Sequence, residues 1–196
     1  MLQYWQLNAR EVAGMLRRKA YQRLLDWKNA PNHKALCIFG ARQIGKTTLI
    51  RKFGKENYQN YVEINFVSDK DAAGIFAGDL DINTILTNLT AYTRQPMEPG
   101  QTLIFFDEVQ ECPNVRTAIK FLVEDGRFDY IESGSLLGTK YKTVKSLPVG
   151  FEEIYRMYPM DFEEFLWANG VQEATVQYLK TCMDTGTQVL PTVHDT

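Results

Sequence analysis

Along the chain, short apolar runs alternate with amphipathic stretches, and the hydrophobic period switches between two and about 3.6. Over residues 9–28, Val12, Leu16, Ala20 and Leu24 recur at four-residue steps behind Asn8, a spacing that predicts a capped helix. Asn29-Ala30-Pro31-Asn32 breaks it. Ala35-Leu36-Cys37-Ile38-Phe39 then reads as a short buried strand. After a glycine-bearing loop, Thr48-Leu49-Ile50-Arg51-Lys52-Phe53 opens a second helix, closed by Gly54-Lys55-Glu56-Asn57. Residues 61–66 alternate aromatic or aliphatic with polar side chains, as a strand does. A polar stretch from Ser68 to Asp81 leads to a helix carrying Ile82, Ile85, Leu86 and Leu89, and Pro96, Pro99 and Gly100 mark a loop.

In the second half, Thr102-Leu103-Ile104-Phe105-Phe106 is a continuous apolar strand ending in Asp107-Glu108. A helix with Val115, Ile119, Leu122 and Val123 follows and ends near Gly126. Residues 128–133 form another strand running into a Gly134-Ser135 turn, and residues 153–157 a fifth, closed by Pro159. Asp161 caps a last helix whose first turn is acidic. Strands alternating with helices imply an α/β fold: a mostly parallel sheet of about five strands, with helices on both faces, in three layers.

Composition changes this picture little. No apolar run approaches the roughly 20 residues that span a bilayer, and Met1-Leu2-Gln3-Tyr4-Trp5 lacks the layout of a secretory signal, so the cytoplasm and no membrane partner are expected. Cys37, Cys112 and Cys182 are an odd count without paired spacing, and His33 and His194 stand at opposite ends, so no zinc site is expected. Cys37 reads as a small buried apolar group. The charge is uneven. Seven bases (Arg10, Arg17, Arg18, Lys19, Arg23, Lys28, Lys34) face only Glu11 and Asp26 in residues 1–34, while the whole chain is −2. Such a segment could touch nucleic acid, but the solvated face of an amphipathic helix is the favoured reading.

The chemistry sits at the strand ends. Gly40-Ala41-Arg42-Gln43-Ile44-Gly45-Lys46-Thr47 matches G-x-x-x-x-G-K-[ST], between a strand and a helix. Loop N–H groups and a helix N-terminus then face one anion, with Thr48 continuing the cradle. Lys46 would reach the β- and γ-phosphates, and the Thr47 hydroxyl would ligate Mg²⁺. Asp107, at the end of a buried strand, would hold Mg²⁺ through its water shell, and Glu108 would orient and deprotonate an attacking water. Ser133 could present a hydroxyl to the γ-phosphate or the water, with Ser135 as runner-up. Gln110 could position water or report phosphate occupancy, or be a polar loop residue. Arg42 could add charge near the phosphates. Arg116 and Arg156 receive no role, because most arginines pair with acids at the surface. The aromatic groups Phe105-Phe106 and Phe162, Phe165, Trp167 are expected in the core. No Asn-Lys-x-Asp-like guanine-reading motif is present, so ATP is favoured over GTP.

Taken together these segments resemble the AAA-type P-loop ATPases of a large prokaryotic group that carries a C-terminal restriction-endonuclease-like domain. The resemblance rests on residues 40–48, on Leu103-Ile104-Phe105-Phe106-Asp107-Glu108-Val109-Gln110 and on Ser133-Gly134-Ser135. It extends through Leu147-Pro148-Val149-Gly150 to Tyr158-Pro159-Met160-Asp161-Phe162-Glu163-Glu164-Phe165-Leu166. It implies a P-loop ATPase core with the strand of Ser133 between the phosphate-loop strand and the acidic strand, which makes Ser133 a sensor. Two positions depart from the family pattern: Ala41 replaces a usual proline, and Phe151 a frequent base. Relatives continue past the position of Thr196 into a helical lid and the endonuclease-like domain, so the chain resembles an N-terminal part.

The expected organisation is an N-terminal helical segment over 1–34, an ATPase core over 35–170 and the start of a C-terminal helical region over 171–196. The expected function is Mg²⁺-dependent ATP binding and hydrolysis, with ATP and Mg²⁺ as ligands. Weak turnover is expected, because no arginine stands in a motif that assigns it to the γ-phosphate. A finger from a homo-oligomer neighbour is left open; nucleic acid is left open but not favoured. The alternatives are a nucleotide-operated binding switch with little turnover, a P-loop kinase, or a DNA-associated ATPase.

Overall fold

The computed structural model describes residues 16–78, 81–135 and 150–190. Two compact units are present, Ala20–Pro159 and the flanking residues, of which 16–19 and 160–190 are described.

The larger unit is built on β1 (Ala35–Gly40), β2 (Asn60–Asn65), β3 (Thr102–Asp107), β4 (Asp129–Ser135) and β5 (Glu152–Arg156). They form one sheet in the order β2-β3-β4-β1-β5, with every pairing parallel. The predicted α/β parallel sheet is therefore present, and β4 does separate β1 from β3. Parallel pairing needs crossovers, supplied here by α2 (Lys46–Asn57), α3 (Ile82–Thr93) and α4 (Pro113–Asp125). It also brings the carboxyl ends of all five strands to one edge, the place where such sheets bind ligands.

The pleat sorts the strand residues onto two faces. Val62, Ile64, Ile104, Phe106 and Tyr130 pack with α3, α4 and the 3₁₀ turn Asp71–Phe76. The alternate residues face α2, where an added Cβ at Gly54 would run into the Tyr61 ring and approach Leu103 at 3.2 Å. Gly54 thus lies inside α2 because the helix rests on β2, not because it ends the helix. Helix α1 (Lys19–Asn29) covers α2 through Trp27 and Tyr21, whose rings stand 6.3 and 5.9 Å from Phe53.

Three expectations need correction. The segment 68–81 is not simply polar: Ala72, Ile75 and Phe76 are buried, and Phe76 meets the Phe106 ring edge-on at 5.5 Å. Gly134 and Ser135 belong to β4 rather than to a turn, since Gly40 pairs with Ser135 in register. Among the described residues the first helix starts at Lys19, where Glu164 Oε1 accepts the Lys19 N–H at 2.7 Å; Leu16 lies outside it and is exposed, while Asn8 and Val12 fall outside the described residues.

In the smaller unit, α5 (Phe162–Ala168) opens with a capping box: Asp161 accepts the Glu164 N–H at 2.9 Å, and Glu164 accepts the Asp161 N–H at 3.0 Å. Glu164 rather than an aromatic residue takes the buried position of this short helix. Phe162 and Phe165 are consequently 66% and 52% exposed, against the expectation of a core role. Trp167 is half-buried under the Arg17 guanidinium, 3.7 Å from the ring centroid. Helix α6 (Glu173–Thr185) follows.

Candidate nucleotide site

The loop from Gly40 to Gly45 begins where β1 leaves the sheet. Gly40 is fixed by tertiary contact: Met157 N–H donates to the Phe39 carbonyl at 2.6 Å, and a Cβ at Gly40 would collide with the Met157 carbonyl oxygen. Gln43 and Gly45 adopt left-handed backbone, at φ 63° and 90°. Such reversals of handedness turn successive peptide N–H groups to one side. Gly45 then starts α2, and no side chain caps it, so the first-turn N–H groups have no intrahelical acceptor. Lys46 is only 7% exposed, and its Nζ donates to the carbonyls of Gly40 at 3.1 Å and Ala41 at 2.7 Å. Burial lowers the Lys46 pKa from its ordinary value, while Glu108 and Asp107 oppose that shift. The loop, the helix start and the ammonium together fit a phosphate chain.

Asp107 is the most heavily bonded side chain of the site. Its Oδ2 accepts from Thr47 Oγ1 at 3.0 Å and from Asn65 Nδ2 at 2.9 Å. Its Oδ1 accepts the Glu108 N–H at 3.0 Å and a short hydrogen bond from the Ser133 hydroxyl. Register explains the convergence, since Asn65 pairs with Asp107 across β2 and β3, and Ser133 follows the Glu132 that pairs with Phe106. A hydroxyl and a carboxylate this close are the hard oxygen donors that Mg²⁺ takes. The Ser133 hydroxyl is fully buried and committed to Asp107, whereas Ser135 reaches the Glu108 carboxylate at 3.4 Å. Arg42 Nε stands 3.4 Å from Ser135 Oγ. Asn65 had no sequence signal beyond being a polar residue at a strand end, because its value depends on β2 lying beside β3.

On the opposite face of the sheet lies a second cluster, which the sequence reading missed. Arg116 of α4 bonds Glu132 of β4 at 2.7 Å, Glu152 of β5 at 2.9 Å and Cys37 Sγ of β1 at 2.8 Å. Arg116 does pair with acids, but in the interior, at 2% exposure. Cys37, Glu132 and Glu152 offer ligand atoms within 4.8 Å of one another, yet the guanidinium already supplies a cation there. Burial, then the neighbouring Glu132 charge, pushes the Glu152 carboxyl up to about 9, and burial raises the Cys37 thiol. A glutamate inside the apolar run Tyr130-Ile131-Glu132 was the available signal.

Comparison with known proteins bears on the nucleotide site. A family model described as an AAA domain matches residues 32–166, most of the chain. The chain belongs to the AAA domain family. It is therefore an ATPase-type nucleotide-binding domain, and the phosphate loop, Asp107 and Glu108 all fall within the matched span. No curated protein matches it. Among solved structures, the AAA domain is similar to the Aeropyrum pernix ORC1 protein in complex with DNA, at 16% identity and a TM-score of 0.48. That match covers 84% of this chain and 50% of the other, so this chain spans about half the length of that protein. Among the described residues, no helix is long and apolar enough to cross a membrane.

The bases near the start of α1 are all engaged. Arg17 pairs with Glu173 at 2.9 Å, Arg18 with Glu164 at 3.2 Å, Lys19 with Asp161 and Glu163 at 2.6 Å, and Arg23 with Glu153.

Proposed function

We propose that this AAA domain binds Mg²⁺-ATP and hydrolyses it. The observation that carries the reading is the convergence of Thr47 and Asp107 at 3.0 Å, with the Lys46 ammonium within the electrostatic reach of both Asp107 and Glu108. Thr47 and Asp107 would hold Mg²⁺, which when bound neutralises charge on the phosphate oxygens. Residues 40–48 bind the phosphate chain, and Lys46 stabilises charge developing on the γ-phosphoryl group. Glu108 takes the proton of the attacking water as its oxygen bonds to the γ-phosphorus and the bond to the β-phosphate oxygen breaks. Ser133 and Asn65 act one step back, fixing the Asp107 carboxylate for the metal, and Ser135 is the hydroxyl nearer the reacting end.

The finer assignment to the prokaryotic group with an endonuclease-like domain, the division at residues 34 and 170, the preference for ATP and a cytoplasmic setting remain parts of this proposal. The motif order supports the group and its division of the chain, the missing guanine-reading motif supports ATP, and the lack of a membrane-length apolar run or signal layout supports the setting. Nucleic-acid binding by the basic segment is not favoured, because Arg17, Arg18, Lys19 and Arg23 each face a carboxylate. Slow turnover is expected for want of an assigned arginine finger, and a neighbouring copy could supply one. The deciding experiment measures Mg²⁺-ATP affinity and phosphate release for wild type and Glu108→Gln. Retained affinity with release lost supports hydrolysis with Glu108 as base; wild-type release by the variant puts the base elsewhere, and affinity without release in wild type leaves the nucleotide-operated switch as the better reading.

A further inference from the structure

A general base on a side chain with three rotatable bonds works only if something holds it, because a free glutamate spends most of its time in unproductive rotamers. Glu108 is held at both levels. Its backbone adopts left-handed geometry, φ 57° and ψ 45°, which residues other than glycine enter seldom. Asp107 Oδ1 receives its N–H at 3.0 Å, and its carbonyl receives the Glu111 N–H at 3.0 Å, so the turn Val109–Glu111 is tied to it from both sides. The side chain is held by Gln110: Nε2 donates a short hydrogen bond to Glu108 Oε2. Ser135 Oγ stands 3.4 Å from the same oxygen. Among the described residues no hydrogen bond is directed at Glu108 Oε1.

We infer that Gln110 is the positioning residue for Glu108, holding Oε2 so that Oε1 is the oxygen that receives the proton; this rests on the hydrolytic reading. The sequence offered Gln110 as a water-positioning group or a polar loop residue, and the geometry points to the carboxylate instead. An amide suits the task. It donates to the ionised acid without competing for the proton, and it is confined to one orientation, since its oxygen against Oε2 would set two acceptors together. Gln110 Oε1 is itself buried without a hydrogen-bond partner, which means that the amide is placed for the bond its nitrogen makes.

The test compares Gln110→Ala, Gln110→Glu and Glu108→Gln with wild type in the full chain, reading Mg²⁺-ATP affinity, single-turnover rate and the pH–rate profile. Gln110→Ala should slow turnover about tenfold or more with ATP affinity within about twofold of wild type. Gln110→Glu sets a second acid against Oε2, so the acidic limb of the profile should move up by about one pH unit. If Glu108→Gln is inactive while both Gln110 variants keep the wild-type rate and profile, the positioning role is wrong and the hydrolytic reading stands. If rate and affinity fall together in both Gln110 variants, the residue serves the fold, and the inference is likewise overturned. Wild-type turnover by Glu108→Gln would put the base elsewhere and sink this inference, whereas a wild-type chain that releases no phosphate would sink the hydrolytic reading and this inference with it.

Discussion

Asp107 of β3 and the pair Glu132 of β4 and Glu152 of β5 are buried carboxylates placed on opposite faces of one sheet, and they are satisfied in opposite ways. Asp107 is surrounded by neutral donors: a threonine, an asparagine, a serine and a peptide N–H. No ion pair reaches it among the described residues. Its centre has hydrogen bonds in surplus and cationic charge in deficit, which is the arrangement that accepts an incoming cation. The other centre has two acids for one guanidinium, and one oxygen of each acid has no hydrogen-bond partner. Burial first, and then the charge of Glu132, disfavour the ionised form of Glu152, whose carboxyl is pushed up to about 9. One centre is open to a ligand, and the other is closed by an internal salt bridge. Burial and acidity by themselves do not tell them apart; the partners do.

The contrast is broken most directly by removing the guanidinium. Arg116→Leu strands both glutamates in the interior and should cost about 3–5 kcal/mol of stability, read as a lower urea midpoint. A loss below about 1 kcal/mol would mean that the acids reach solvent and that the centre is not closed.

On the ligand face the corresponding cation is Lys46, whose ammonium contacts only loop carbonyls. Lys46→Ala should weaken ATP binding roughly a hundredfold, about 3 kcal/mol, with an unchanged circular dichroism spectrum. Calorimetry showing wild-type affinity in a folded variant would misplace the phosphate cradle.

The proton held by the closed centre sharpens the comparison by pH. Glu152 titrates near 9 when folded and near 4.5 otherwise, so between those values only the folded chain holds its proton. Its contribution to stability is complete below about pH 4.5 and is lost as pH rises toward 9. His33, whose pKa is raised chiefly by its hydrogen bond to Asp129, contributes with the same sign, its share being lost as pH rises above the ordinary histidine range. Urea midpoints should therefore fall from pH 5 to pH 9. Glu152→Gln should remove most of that decline, and His33→Asn only its near-neutral part. A decline that survives Glu152→Gln would place the proton elsewhere.

Much of the ligand face was legible because its residues are local in sequence. A glycine loop followed by Lys46 and Thr47 requires only the strand before it and the helix after it, and Asp107-Glu108 announces itself at the end of an apolar run. Apolar runs and period-3.6 patterns made the inner strands and the helices between them legible, because most of those residues bury their own side chains; β5 is the exception, with Ile154 65% exposed.

Tertiary structure decided whatever depends on which strand lies beside which. Asn65 and Ser133 became supports of Asp107 only when β2 and β4 flanked β3. Glu132 and Glu152, twenty residues apart, meet one guanidinium only because β1 alone separates their strands and Arg116 reaches both. Start and end points were also settled at a distance, as where Glu164 takes the N–H of Lys19 and begins α1 there. A sequence specifies which groups need burial or a partner; the partner itself is a property of three-dimensional adjacency, since hydrogen bonds and ion pairs act over a few ångströms and not along the chain.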